Sequence, residues 1–216
     1  MGWDMSVDLS PLLNNWRFLL GGVETTLLLS FLSIALGTVV GVCVGIARCY
    51  AARPVAAILA FYVDSMRAIP LLVILVWTFF ALPLLTPYSM TPFAAGVLGI
   101  GLHLAAFVSE VVRAGLLSIR PGQMQAALAM GMSRAQAIRL ILLPQALIRM
   151  IPAFGSLVVI TIKDSAIASV IAVPELMRQS QVIVGKTYRP LEVFTFVLIV
   201  YFLLCWPVAR GIDRIY

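Results

Sequence analysis

The sequence predicts an all-α polytopic membrane protein: one transmembrane domain over residues 1–216, with about five spans and a basic segment between the third and fourth. Three observations predict it. Of 216 residues, 62% are hydrophobic and 11% charged, whereas soluble domains carry roughly a quarter charged. Mean hydropathy is +1.06. The apolar runs are continuous rather than alternating. That favours helices over barrel strands, the other structure that satisfies its backbone in lipid.

The first span is expected over about 22–47 and is uncharged from Thr25 to Ala47. Gly37, Gly41 and Gly45 recur every four residues, so they share a helix face that another helix can approach closely. Arg48 and Arg53 follow in a short turn. The second span, about 54–85, is interrupted by Pro70. Asp64 and Arg67 lie three residues apart on it and are expected to pair near the cytoplasmic half. Pro83, Pro87 and Pro92 mark an uncharged turn, "PLLTPYSMTP". The third span, about 93–112, carries His103 and Glu110, and Arg113 stands three residues beyond Glu110.

Segment 113–149 holds Arg113, Arg120, Arg134, Arg139 and Arg149 and no acid. The fourth span, about 150–173, has Lys163 and Asp164 near its middle. Polar residues 174–192 lead to the fifth span, about 193–209, and Arg210, Asp213 and Arg214 close the chain.

Cys43, Cys49 and Cys205 show neither framework nor CxxC spacing, so no disulfide and no metal site is expected. The start "MGWDMSVDLSPLLNNWRF" has Asp4 and Asp8 but no basic n-region, unlike a cleavable signal peptide. The net charge of +6 reads as arginines holding loops in the cytoplasm, not as nucleic-acid binding. With the N-terminus outside, inner segments hold Arg48, Arg53, the five arginines of 113–149, Arg210 and Arg214. Outer segments hold Arg17, Arg178, Lys186 and Arg189. The positive-inside rule then gives N-terminus out, C-terminus in, and 113–149 cytoplasmic.

The basic segment reads as a helix pair. Gln123 to Met130 are good helix formers, Gly131 stops them as a C′ glycine, and Ser133 caps the next helix. That second helix, "RAQAIRLILL", is expected to end before Pro144. Such an elbow either packs on its own bundle or fits a groove in a partner.

Here the residues carry a resemblance. Ala126-Ala127, Gly131 and then Ile141-Leu142-Leu143-Pro144 resemble the "EAA" loop of ABC importer membrane subunits. "IPLLVILVWTFFALP" after Arg67, "SEVVRAGLLSIRPGQMQAA", "LLPQALIRMIPAFG", "IKDSAIASVIAVPEL" and "YFLLCWPVAR" resemble further segments of the polar amino-acid family of these importers, the histidine/arginine/glutamine type. The resemblance runs over roughly 20–214. It implies a permease of the type I importer fold, paired with an identical or homologous permease subunit. It implies a cytoplasmic ATPase dimer that carries ATP and Mg, a periplasmic or lipid-anchored solute-binding protein, and the bacterial inner membrane with its lipid. The implied solute is a polar amino acid or similar zwitterion; a compatible solute or opine is the alternative.

The resemblance makes Gln125, Ala126, Ala127, Gly131, Met132, Ile141, Leu143 and Pro144 the ATPase-coupling residues. Gln125 replaces the usual Glu, which removes a charged contact. It also puts His103 and Phe107 where the family tends to carry Asn and Tyr, and Ser156 where Asn is common, all along the solute path.

An ionisable residue inside the membrane is a functional candidate by default. Lys163 and Asp164 either turn to an internal cavity at a helix break or form a structural ion pair. His103 is either a packing residue or part of the path. Glu110 with Arg113, and Asp64 with Arg67, are read as gate or structural ion pairs. "SQVIVGKT", Ser180 to Thr187, nearly spells a phosphate-binding loop but begins with Ser where Gly is required. No cofactor is expected on this chain. A secondary transporter would need inverted repeats or several buried carboxylates, and an intramembrane enzyme a nucleophile–base pair, and neither is evident.

Overall fold

The computed structural model describes residues 8–86 and 89–215. Asp4 and Pro87, named above, lie outside the described residues. After a single turn at Ser10–Asn14 come α1 (Trp16–Tyr50), α2 (Arg53–Ala68), α3 (Leu71–Leu85), α4 (Pro92–Leu117), α5 (Pro121–Ala129), α6 (Arg134–Ile171), α7 (Leu176–Thr187) and α8 (Pro190–Ile215). Helices α1, α4, α6 and α8 are each long and apolar enough to cross a membrane.

The second expected span is not one straight crossing: α2 and α3 meet at an angle of 107°. Pro70 is the cause. It forces Ile69 out of the helical region (φ −90°, ψ 131°) and itself sits extended at φ −59°, ψ 136°. Two consecutive extended residues turn the chain.

Helix α4 is the centre of the bundle, with 61% of its most apolar stretch buried, against 17% for peripheral α8. It packs on α1, α2 and α6. The glycine stripe makes the α1–α4 crossing close: an added Cβ would meet Leu104 and the Gly101 carbonyl at Gly37, Val108 at Gly41, and Val112 and the Ser109 carbonyl at Gly45. Large side chains such as Phe31, Phe61, Leu84 and Leu198 remain exposed on the outer faces of the helices. In lipid that is the apolar side, so their exposure costs nothing.

Helix α6 corrects an expectation. It does not stop before Pro144 but runs through it. A π-turn over Ile138–Leu142 widens the helix ahead of the proline, and the Leu143 N–H donates to the carbonyl of Ile138. The wider turn moves the backbone away from the ring, which would otherwise clash with the carbonyl four residues back. The Gln145 side chain donates to the Ile141 carbonyl at 2.9 Å and so covers backbone in the same turn. Helix α3 repeats the device: a π-turn over Trp77–Ala81, then Leu82, then Pro83.

Candidate functional site

Two regions collect the residues singled out in the sequence. The first is the elbow between α5 and α6. Helix α5 ends in a Schellman motif: Gly131 N–H donates to Leu128 O at 3.0 Å and Met132 N–H to Ala127 O at 3.1 Å. Gly131 has φ +81°, which is why a glycine stands there. Two residues on, Ser133 caps α6 in a capping box. Its hydroxyl accepts from Gln136 N–H, and the Gln136 side chain accepts from Ser133 N–H at 2.9 Å.

Ala127 and Ala137 are buried between the two arms. Gln125, Ala126, Gly131, Leu143 and Pro144 are exposed, Met132 and Ile141 are half-buried, and Met130 is 81% exposed at the tip. Arg149 ties the base of the elbow to the end of α4 by donating to the Ser118 carbonyl at 2.6 Å and hydroxyl at 3.1 Å. The elbow is thus tied to α4 at its root, and its tip is exposed.

The second region follows one face of α4. The rings of His103 and Phe107 meet edge to face, 5.1 Å between centroids. The next turn carries Glu110. Arg48 of α1 donates to its Oε1 at 2.5 Å, Arg113 to its Oε2 at 3.0 Å, and the Arg67 guanidinium of α2 lies 3.9 Å from Oε1. Arg67 also sits over the face of Phe107, 5.6 Å from its centre. The expected Asp64–Arg67 pair is not formed: Arg67 turns toward α4 and meets Glu110 instead. The reason is local. Arg67 lies in the last turn of α2, just before the bend, and α4 packs against that helix.

Lys163 and Asp164 do not share a cavity. Asp164 lines a small cavity of about 70 Å³ with His103, Phe107 and Leu157. Lys163 and Ser156 line another cleft, of about 250 Å³, with Asp213 of α8. Neighbours on a helix point about 100° apart, so the two charges part company. The α-helical portion of α6 ends at Asp164 and continues as a 3₁₀ turn over Ser165–Ile171. His103 Nδ1 is buried and has no hydrogen-bond partner among the described residues. Among those residues, no three metal-ligating side chains converge.

A third cluster was missed in the sequence. Glu175 is fully buried where the chain leaves α6. It caps α7, accepting from Met177 N–H at 2.8 Å and Arg178 N–H at 2.7 Å, and from the Tyr201 hydroxyl of α8 at 3.2 Å. The neighbouring Leu176 N–H donates to Thr26 of α1 at 3.1 Å. Burial pushes the Glu175 carboxyl up to about 7, while its three hydrogen bonds pull it back toward the ordinary range. An acidic residue just before a helical run is the available signal, although in a polar segment it reads first as loop charge. Residues 180–187 lie within α7, where Ser180 is buried and donates to the Leu176 carbonyl. That stretch forms no phosphate-wrapping loop.

A helical bundle with broken spans and an exposed basic elbow defines a membrane subunit of a transporter. Comparison with known proteins places it further. Residues 24–215 match the family described as "Binding-protein-dependent transport system inner membrane component". The chain belongs to this family, and it is a permease subunit of an ABC importer. It is 34% identical over 201 residues to the glutamine transport system permease protein GlnP of Escherichia coli strain K12, covering 93% of this chain and 92% of that one. It is 33% identical over 207 residues to the probable glutamine ABC transporter permease protein GlnM of Bacillus subtilis strain 168, covering 96% and 95%. A crystal structure of an amino acid ABC transporter with histidines superposes with a TM-score of 0.90 at 30% identity, covering 97% of this chain and 98% of that one.

Proposed function

We propose that this permease imports a polar amino acid across the bacterial inner membrane, with its N-terminus outside and its C-terminus in the cytoplasm. The observation that carries the reading is the elbow. A Schellman motif and a capping box hold Gly131 and Met130 outward on an acid-free segment, and segment 113–149 bears five arginines. A cytoplasmic ATPase receives this tip between Gln125, Ala126, Ala127, Gly131 and Met132 on one arm and Ile141, Leu143 and Pro144 on the other.

ATP and Mg are held by that ATPase, and this chain makes and breaks no covalent bond. A second permease subunit completes the translocation path, and a solute-binding protein delivers the solute from outside. Closure of the ATPases draws the elbows together. The hydrogen-bonded link from the elbow through Arg149 to the end of α4 passes the movement to the helix that carries His103, Phe107 and Glu110. The solute passes along His103, Phe107 and Asp164, while Ser156 and Lys163 line the separate cleft beside α8. Two relatives named for glutamine transport, and the structure solved with histidines, support an amino acid as that solute.

The test is reconstitution of the permease with its ATPase and binding protein in proteoliposomes. Uptake of a labelled amino acid is expected to require ATP inside the compartment that faces the elbow. A Met130→Cys variant is expected to crosslink to the ATPase. Uptake without the ATPase, or crosslinking only from the opposite side of the membrane, overturns the reading.

A further inference from the structure

Resting on the importer reading, we infer that Tyr62 is a positioning residue for transport: its hydroxyl pins the end of α2 to α4, so that the Pro70 bend is a hinge on which α3 alone swings into the cavity beside it. The Tyr62 hydroxyl donates to the Leu102 carbonyl of α4 at 2.7 Å. One turn further along α2, His103 of α4 hydrogen-bonds the Met66 backbone. That second contact answers a need set by the sequence. Ile69 N–H still bonds back to the Ser65 carbonyl at 3.1 Å, but Pro70 has no N–H to give the Met66 carbonyl. In lipid a bare carbonyl is costly, so a donor from a neighbouring helix is required. Arg67 adds a third tie, its guanidinium 5.6 Å above Phe107 and 3.9 Å from Glu110. All of these contacts leave α2 before the bend and reach α4 between residues 102 and 110.

Beyond the bend the contacts change in kind. Val73 and Ile74 donate to the Pro70 carbonyl at 3.0 and 3.2 Å, which starts α3 afresh. Among the described residues, no backbone hydrogen bond joins α2 to α3, and Ile69 and Pro70 are both extended. A few such residues at the end of an element absorb the backbone rotation of a hinge. Among the described residues, no hydrogen bond joins α3 to α4 either. Their contact is apolar: Leu75 sits against Gly99, where an added Cβ would stand 2.8 Å from it. In lipid an apolar contact holds weakly, because the acyl chains are as apolar as the side chains.

A cavity of about 490 Å³ lies in the bend, between Met66 and Ile69 on one arm, Val73 and Trp77 on the other, and Leu98 and Leu102 of α4. Packed interiors have few voids larger than a water molecule, so this one is room left for movement. Leu75 on Gly99 is the point about which α3 rolls. Movement that reaches α4 from the elbow therefore carries α2 with it, and α3 turns at Ile69–Pro70.

The test is distance measurement between spin labels on the purified permease–ATPase complex, nucleotide-free and trapped with ATP and vanadate. Cys43, Cys49 and Cys205 are first replaced by serine, and labelled permease is diluted with unlabelled. One label pair spans the bend, at Phe61 and Leu84, and the other joins α2 to α4, at Phe61 and Leu117; all three side chains are exposed. In the wild type the first distance is expected to shift on trapping and the second to stay fixed. Tyr62→Phe, which removes only a hydroxyl, is expected to release α2, so that the second distance broadens and shifts as well. In proteoliposomes with the binding protein, the probe is whichever of the twenty labelled L-amino acids the wild type imports fastest. Tyr62→Phe is expected to keep its ATP hydrolysis and to import about fivefold less of that probe per ATP, the equivalent of one hydrogen bond. A residue serving stability alone would lower uptake and hydrolysis together. A wild-type first distance that ignores trapping, or a second that moves as far as the first, overturns the hinge without any variant having to fold. Unchanged distances and unchanged uptake per ATP in Tyr62→Phe overturn the assignment of Tyr62. A wild type that imports none of the twenty, or imports without the ATPase, overturns the proposed function, while the distances in the trapped complex still decide the hinge.

Discussion

Gly41 of α1 lies so close to Val108 of α4 that a Cβ on the glycine would stand 2.5 Å from the valine's Cβ and 2.7 Å from the Ala105 carbonyl. Gly41→Ala is therefore expected to force α1 and α4 apart and to cost about 1–3 kcal/mol. Gly21, with nothing within 4 Å of an added Cβ, is the internal control. Gly21→Ala is expected to gain up to about 1 kcal/mol from helix propensity alone. Thermal unfolding of the two variants in one detergent separates them by sign. Adding Val108→Ala to Gly41→Ala should recover only part of the loss, because the clash with the Ala105 carbonyl remains.

Glu110 serves three arginines, so its removal is more costly than the loss of a single ion pair. Glu110→Gln leaves Arg48, Arg67 and Arg113 facing one another without a counter-charge. Stranding a partner of a fully buried pair costs about 3–5 kcal/mol. The Glu110 side chain is 22% exposed, so about 2 kcal/mol is the expected loss of stability. Arg48→Gln added to Glu110→Gln removes one stranded cation and is expected to restore part of the melting temperature. An additive double variant would show that the cluster carries no such coupling.

The spans and the elbow were legible in the sequence because their signals are local. Gly131 and Ser133 each state a backbone requirement within one turn, and the structure meets both of them. The stripe of Gly37, Gly41 and Gly45 shows that a helix comes close, though not which one. What could not be read depends on distances between helices or on an uncommon turn. Arg67 looks like a partner for Asp64 at three-residue spacing, yet the bend at Pro70 and the approach of α4 give it Glu110. Pro144 looks like a stop because an ordinary α-helix cannot pass it, and the π-turn that lets it through carries no strong composition signal. The Leu-Pro step that follows both π-turns, at 82–83 and 143–144, is the trace they leave. Lys163 and Asp164 look like one site because they are adjacent, and only the packing of α8 shows that they serve two clefts.

Ala172 has φ +61°, a left-handed conformation, at the exit of the 3₁₀ turn. For an L-residue with a Cβ this costs about 1–2 kcal/mol. Glycine would relieve this but would also loosen the unfolded chain by about 0.4–1 kcal/mol. Ala172→Gly is expected to stabilise by up to about 1 kcal/mol, measured as a rise in melting temperature. Val173 is fully buried beside it, so a fall would mean that the Ala172 methyl packs more than its backbone strains.

The buried carboxyl of Glu175 makes stability depend on pH, and the sign follows from the direction in which burial moves it. Folded, it titrates near 7; its ordinary value is 4.5. Between these values the folded state holds a proton that the unfolded state has released, so raising the pH favours unfolding. The native contribution is complete below about pH 4.5, is lost progressively as the pH rises, and is gone above about 7. The whole change is at most about 3.5 kcal/mol, at about 1.4 kcal/mol for each pH unit that separates the folded and unfolded values. Asp8 acts in another window. The Ser10 backbone N–H and hydroxyl hold its carboxyl below the ordinary value of 3.8, so what it contributes is lost as the pH falls below that value. Glu175→Gln keeps an acceptor for one N–H of α7 and removes the titration. The wild type is expected to melt at a lower temperature at about pH 8 than at about pH 5.5, and Glu175→Gln to narrow that difference. An equal pH dependence in both would place the titrating group elsewhere. Because Glu175 joins the first turn of α7 to Tyr201 of α8, the loosening should appear first as faster amide exchange at Met177 and Arg178, before the bundle itself melts.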